Sequence, residues 1–121
     1  MRLVVTGGRD YVDGVTLRAV LDALREMYGV VELAHGDSRG ADRLAGHWAE
    51  TRGVTVKRYP ARWDLGKFAG LTRNYEMLVR FRPDAVVAFP GGRGTADCVK
   101  RAVSMKIPVI NLGVNQVLTD R

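Results

Sequence analysis

Apolar residues along the chain follow two alternating patterns. Five short, mostly apolar runs predict β-strands at Arg2–Thr6, Val30–His35, Val54–Tyr59, Ala85–Phe89 and Ile107–Leu112. Four longer segments carry apolar residues at helical spacing and predict helices at Asp13–Tyr28, Gly40–Arg52, Leu71–Arg82 and Thr95–Lys106. Regular alternation of strand and helix is typical of a parallel sheet with helices on both faces. We therefore predict an α/β fold with a central parallel sheet of about five strands, in a single domain that spans residues 1–121.

The composition limits the class of protein. The 121 residues are 46% apolar, but the longest apolar runs are too short to cross a bilayer, so we expect a soluble cytoplasmic protein with no membrane partner. The single cysteine, Cys98, provides neither a disulfide nor a cysteine metal cluster, and histidine–carboxylate spacing typical of metal ligands is missing. We therefore expect no metal and no cofactor. The net charge of +6 is carried mostly by arginine, which suits a nucleic-acid partner but is also consistent with a solvated basic surface.

Glycine-rich loops follow three of the predicted strands, at residues 7–10, 35–40 and 90–95. Each leads into a helix at the carboxyl edge of the sheet, where ligands bind in open parallel sheets. Glycine lets backbone N–H groups approach an anion, and a helix N-terminus adds partial positive charge. For any one of these loops a tight turn is the better explanation, but together the three loops predict a phosphate site. Its candidate residues are Gly7, Gly8, Arg9, Gly36, Asp37, Arg39, Arg73, Asn74, Gly91, Gly92, Arg93, Gly94 and Thr95.

Several single side chains allow two interpretations. Trp63 lies in the polar loop Pro60–Ala69 and is either a stacking platform for a base or an anchor of the loop. His35 ends a buried strand and is either a ligand contact or a core histidine. Asn74 either bonds a ribose hydroxyl or caps the third helix. The loops contain neither the G-x-x-x-x-G-K-[ST] sequence of ATPases nor the G-x-G-x-x-G fingerprint of dinucleotide-binding folds, so the ligand is not identified by either motif.

The loop Pro90–Thr95 reads P-G-G-R-G-T and is similar to the P-G-G-x-G-T motif of the SLOG superfamily. The chain resembles in particular the small YspA-like branch of bacteria and their phages. The segments that carry this resemblance are Val5–Tyr11, His35-Gly36, Gly40–Asp42, Pro60–Asp64, Gly66-Lys67, Ala69-Gly70, Arg73–Met77 and Phe89–Ala96. The resemblance implies a Rossmann-like three-layer sandwich that binds a nucleotide or a nucleotide-derived ligand, and it implies a homodimer.

The superfamily also includes LOG-type phosphoribohydrolases and the DNA-binding DprA proteins. In LOG enzymes an arginine at the start of a helix and the glutamate of P-G-G-x-G-T-x-x-E carry the site. Arg73 matches that arginine, but Cys98 stands at the position of the glutamate. The candidate catalytic residues are therefore Arg73 and Asp97, the carboxylate next to the missing one. Cys98 lies on the apolar stripe of its helix, so we expect a buried, inert thiol.

Three functions remain in competition. The first is nucleotide binding by a sensor or binding domain, the second is LOG-like hydrolysis with a displaced acid, and the third is DprA-like binding of single-stranded DNA. The missing glutamate favours binding over hydrolysis, although whether the protein is an enzyme stays open. A nucleotide-like small molecule is the expected partner, with single-stranded nucleic acid as the alternative. We also expect Arg73→Ala and Gly92→Val to abolish nucleotide binding and to leave the fold intact.

Overall fold

The structure, a computed structural model, describes residues 1–113. The strands are β1 (Arg2–Thr6), β2 (Glu32–His35), β3 (Thr55–Arg58), β4 (Ala85–Ala88) and β5 (Val109–Asn111). The helices are α1 (Gly14–Tyr28), α2 (Ala41–Thr51), α3 (Ala69–Phe81) and α4 (Arg93–Ser104), with a single 3-10 turn at Trp63–Leu65. All five predicted strands and all four predicted helices are present, with ends within two residues of the predicted ones.

The five strands form one parallel sheet in the order β3-β2-β1-β4-β5. The chain builds outward from β1 to β3 on one side, and then crosses to the other side of β1 for β4 and β5. Leu3 of β1 accordingly pairs with Leu33 on one side and with Ala85 on the other. The order reverses between β1 and β4, and in open parallel sheets such a reversal leaves a crevice at the carboxyl ends of the strands. The predicted α/β three-layer fold is confirmed.

Side chains of the sheet alternate between two apolar cores, because successive residues of a strand point to opposite faces. In β1, Leu3 and Val5 pack in one core with residues of α1 and α2, whereas Val4 packs in the other with residues of α3 and α4. Both β1 and β4 are buried on both faces, which explains why their sequences read as continuous apolar runs. The edge strand β3 is largely exposed and its sequence alternates instead.

Two helices begin earlier than predicted, and both changes affect the crevice. The first helical residue of α3 is Ala69 rather than Leu71, and that of α4 is Arg93 rather than Thr95. Gly92 is the residue that caps α4, in an extended conformation and without a side-chain hydrogen bond. Arg93 and Gly94 therefore belong to the first turn of α4, where backbone N–H groups lack partners within the helix.

None of the helices in residues 1–113 combines the length and the hydropathy that a membrane span requires.

Candidate functional site

A cavity of about 650 Å³ lies at the carboxyl ends of β1 and β4, in the crevice created by the reversal of strand order. Pockets of roughly 300–1,000 Å³ are typical of small-molecule sites. Nine of the thirteen residues predicted to bind phosphate line the cavity: Gly7, Gly8, Arg9, Arg73, Asn74, Gly92, Arg93, Gly94 and Thr95. The cavity thus brings together the loop after β1, the loop after β4 and the first turns of α3 and α4.

The N-terminus of α4 faces this cavity. The first backbone hydrogen bond of the helix runs from the N–H of Ala96 to the carbonyl of Gly92, at 3.0 Å. The N–H groups of Arg93, Gly94 and Thr95 form no hydrogen bond with any residue in 1–113. Three unpaired donors at the positive end of a helix are suited to bind a phosphate group.

Gly8, in the loop after β1, forms backbone hydrogen bonds within the protein instead of leaving its N–H free for an anion, as was predicted. The N–H of Gly8 donates to the carbonyl of Pro90 at 2.9 Å, and the carbonyl of Gly8 accepts from the N–H of Ala41 at 3.2 Å. This peptide therefore connects β1 to the loop after β4 and to α2. Its N–H is already paired and is therefore not available to a ligand.

Arg73 lies at the cavity but is held mainly by the chain itself. Its Nε donates to Asn74 Oδ1 at 3.0 Å, and its Nη1 donates to the carbonyls of Gly36 and Tyr59, the latter at 3.3 Å. Gly36 leaves no room for a side chain, because an added Cβ would collide with this guanidinium. Nη2 forms no hydrogen bond within the described part of the chain. Arg73 thus joins the ends of β2 and β3 to α3 and presents one free nitrogen.

Asp42 is a cavity residue that the sequence reasoning did not select. It is in the first turn of α2, is 5% exposed and accepts the N–H groups of Gly36 and Ser38 at 3.1 and 3.3 Å. Burial raises the pKa of its carboxyl group to about 6, against hydrogen bonds and the charge of Arg73, which lower it. An acidic residue in a first helical turn is common, so its position alone gave no functional signal.

Trp63 forms part of the outer wall. Its side chain is half exposed and lines the cavity together with Lys67 and Phe68. The guanidinium of Arg9 lies 5.3 Å from the centre of the indole ring, within the range of a cation–π interaction. The cavity therefore has the N-terminus of α4 at one end and an aromatic wall at the 3-10 turn.

Comparison with known proteins identifies the family. Residues 1–66 match the model of the YspA, cpYpsA-related SLOG family. The chain belongs to this SLOG family. It is also 43% identical over 122 aligned positions to the gene 61 protein of Mycobacterium phage D29, covering 93% of this chain and 96% of that relative. The resemblance stated from the sequence motifs is confirmed at the level of the family.

Four predicted phosphate ligands of this SLOG domain do not line the cavity: Gly36, Asp37, Arg39 and Gly91. Arg39 instead pairs with the Asp10 carboxylate at 2.9 Å, and both side chains are exposed. The Asp37 carboxylate lies 3.6 Å from Arg43. Gly36 and Gly91 are packed beneath neighbouring groups. In the sequence these four residues lie in glycine-rich loops, as the residues that line the cavity do. The two groups differ only in how the loops pack in the folded protein.

The residues at and beside the glutamate position of LOG enzymes also lie outside the cavity lining. Cys98 is fully buried, as expected, and burial raises the pKa of its thiol to about 12. The Asp97 carboxylate accepts from Asn74 Nδ2 at 3.0 Å and from Arg101 Nε at 2.8 Å. Asn74 thus positions Asp97 and the carbonyl of Gly94 instead of capping α3. Within the described chain, no cluster of three potential metal ligands is present.

His35 and Asp42 should give opposite contributions to the pH dependence of stability. His35 is a core residue whose Nδ1 accepts the N–H of Asp37, and burial lowers its pKa from 6.5 to about 4. Between these values the unfolded chain binds the histidine proton, so stability rises with pH. The pKa of Asp42 is raised from 3.8 to about 6, so in that window the folded protein binds the proton and stability falls with pH. Near pH 5 the two slopes should cancel.

The Asp42→Asn variant should reveal the histidine contribution. With the carboxyl group removed, we expect the free energy of unfolding to rise with pH between roughly 4.5 and 6, by up to about 1.4 kcal/mol per pH unit. Urea denaturation of both proteins across this range measures the slopes. A variant profile as flat as that of the unmodified protein would contradict the assignment of His35 as a neutral core residue.

Proposed function

We propose that the cavity binds a nucleotide or a ribose-phosphate derivative, and that the protein acts as a binding or sensor domain. The observation that carries the proposal is the arrangement of the cavity wall. Three unpaired N–H groups of α4 lie at one end, and the half-exposed Trp63 lies at another part of the same wall. A phosphate on the helix N-terminus and a base on the indole ring would use both features.

The charges along the wall support an anionic ligand. Four basic side chains line the cavity, those of Arg9, Lys67, Arg73 and Arg93, against the two carboxyl groups of Asp10 and Asp42. Asp10 is already paired with Arg39, so only the Asp42 carboxyl group opposes the four basic side chains. The positive charge is therefore in excess, and Arg93 is exposed at the end of α4 where the phosphate would bind.

Binding without hydrolysis is favoured by the surroundings of the LOG-type positions. A carboxylate at position 98 would face the sugar in a LOG enzyme, but here the buried Cys98 thiol occupies that position. Asp97 is engaged by Asn74 and Arg101, and it does not line the cavity. Membership of the SLOG family agrees with a nucleotide-related ligand.

Thermal unfolding tests this function. AMP, ADP-ribose and ribose 5-phosphate should each raise the melting temperature, and free adenine should not, because the phosphate supplies most of the contacts. A ligand at 100 times its dissociation constant adds about 2.7 kcal/mol to stability, which corresponds to roughly 10 °C for a domain of this size. Arg93→Ala should lose most of the shift. Arg80→Ala, which removes the same charge from an exposed position of α3 outside the cavity, should keep it.

Two results would contradict the proposal. One is the absence of any shift with all three phosphate compounds at millimolar concentration. The other is submicromolar binding of a labelled single-stranded oligonucleotide that persists at about 150 mM salt and is lost in Arg93→Ala. The second result would assign the same wall to a nucleic-acid backbone, whose affinity falls with salt by a log–log slope of about 0.7 per phosphate neutralised.

A further inference from the structure

One oxygen of the Asp42 carboxylate accepts hydrogen bonds from the protein, and the other accepts none from the described residues. Oδ2 accepts both N–H groups that reach the side chain, from Gly36 at 3.1 Å and from Ser38 at 3.3 Å. Oδ1 forms no hydrogen bond with a described residue, although the residue is 95% buried. Among the described residues, no fully buried side-chain oxygen or nitrogen lacks a partner, so Oδ1 retains contact with open space. Because Asp42 lines the cavity, that space is the cavity.

The Arg73 guanidinium is the matching donor. Its Nε and Nη1 are committed to Asn74, Gly36 and Tyr59, and its Nη2 has no partner within residues 1–113. Gly36 fixes both charged groups, since its N–H binds Asp42 and its carbonyl binds Arg73. The two charges influence each other, yet they form no ion pair within 4 Å. The free acceptor and the free donor thus belong to two cavity-lining residues that are both hydrogen-bonded to Gly36.

We propose that Asp42 and Arg73 together recognise a hydroxyl group of the ligand's sugar, so that the cavity selects ribose over deoxyribose. The hydroxyl donates its proton to Asp42 Oδ1, and its oxygen accepts from Arg73 Nη2. A hydroxyl is one of the few uncharged groups that donates and accepts at the same time, which is what this pair requires. The inference rests on the proposed function, because it assigns the sugar of the ligand bound there.

The expected preference follows from the cost of leaving these groups without a partner. A hydrogen bond to a charged group is worth more than one between neutral groups, and a deoxy ligand would bury both the carboxylate and the guanidinium without their partner. We expect a ribonucleotide to bind about 10- to 100-fold more tightly than the analogue that lacks the recognised hydroxyl.

Isothermal titration calorimetry with AMP, 2′-deoxy-AMP and 3′-deoxy-AMP tests this inference. The unmodified protein should bind AMP best and lose affinity with one or both deoxy analogues. In Asp42→Asn the amide oxygen can still accept from Gly36 and Ser38, but the free position becomes an NH₂ donor. This variant should therefore bind AMP and the deoxy analogues with affinities within about threefold of each other, since the amide cannot accept the hydroxyl proton.

Asp84→Asn is the charge-matched control. Asp84 is exposed, lies outside the cavity and accepts the N–H of Arg2, a bond that asparagine can keep. This variant should retain the full preference of the unmodified protein for AMP. Loss of the preference in Asp84→Asn as well would show that net charge and not Asp42 carries the selection, and it would overturn the assignment.

The remaining outcomes separate this inference from the proposed function. Equal affinities for the three ligands in the unmodified protein would overturn the inference alone, and this comparison is decisive even if Asp42→Asn does not fold. Absence of binding by all three would overturn the proposed function and the inference with it. Release of free adenine from AMP that stops in Asp42→Asn would make Asp42 a catalytic acid, and would replace hydroxyl recognition by the hydrolase function.

Discussion

Replacing Arg73 with alanine is expected to lower the free energy of unfolding by about 3 kcal/mol and to abolish ligand binding. The change removes the hydrogen bonds to Gly36, Tyr59 and Asn74, and it leaves their oxygens without this donor in a half-buried setting. It also removes the free Nη2 from the cavity wall. The sequence-based expectation that this variant keeps its fold treated Arg73 as a ligand-binding residue only, and the three bonds to the chain change that expectation.

Two further variants make the Arg73 experiment specific. Arg80→Ala removes a guanidinium from the exposed face of the same helix and should change stability by less than about 0.5 kcal/mol. Arg73→Lys keeps the charge but lacks the planar fork that bonds several acceptors at once, so its stability should lie between those of the other two proteins. Urea denaturation gives the three free energies. If Arg73→Ala is as stable as Arg80→Ala, Arg73 does not connect β2 and β3 to α3 in the way described.

The periodicity of apolar residues predicted the helices well because each helix buries one stripe of its surface. The apolar stripe of α1 runs through Leu17, Leu21 and Leu24, which are all buried, and the predicted Gly29 cap adopts the left-handed conformation that favours glycine. The strand order could not be obtained in this way, because β1 and β4 are both continuous apolar runs and nothing local states that they are neighbours. The alternation of strand and helix gave only the parallel arrangement and the edge where a ligand would bind.

The site was predicted less completely, since its details depend on which groups are already paired. Glycine loops and arginines identified the correct edge, but Arg39 and Asp37 have local sequence contexts like that of Arg9 and point to other partners. Asp42 was overlooked for the opposite reason. Its importance comes from the N–H groups of a loop that folds back onto it and from burial beside Arg73, and both are consequences of tertiary packing.

Two adjacent glycines in the loop after β4 also have similar positions in the sequence but different surroundings in the folded protein. Gly91 and Gly92 look equivalent in the P-G-G-R-G-T motif. A Cβ on Gly91 would collide with Thr95 Oγ1 and lie 2.7 Å from the backbone nitrogen of Gly8, whereas a Cβ on Gly92 would meet no atom of the described chain within 4 Å. Gly91 therefore allows the loops after β1 and β4 to approach each other. Gly92 leaves open space at the end of α4.

Gly91→Val should consequently lower the stability of the protein, whereas Gly92→Val should prevent ligand binding. Valine at position 91 has to separate the loop after β4 from Gly8, so we expect a loss of about 3 kcal/mol in the free energy of unfolding. Valine at position 92 should change stability by no more than about 1 kcal/mol, because a Cβ there meets no atom of the described chain within 4 Å. Its branched side chain would instead occupy the space before the free N–H groups of α4. The shift in melting temperature caused by AMP should then be lost in a protein that is otherwise folded.

Urea denaturation without ligand and thermal unfolding with AMP measure the two effects. Equal stability of the two variants would contradict the close contact at Gly91, and an unchanged AMP shift in Gly92→Val would contradict phosphate binding at the end of α4.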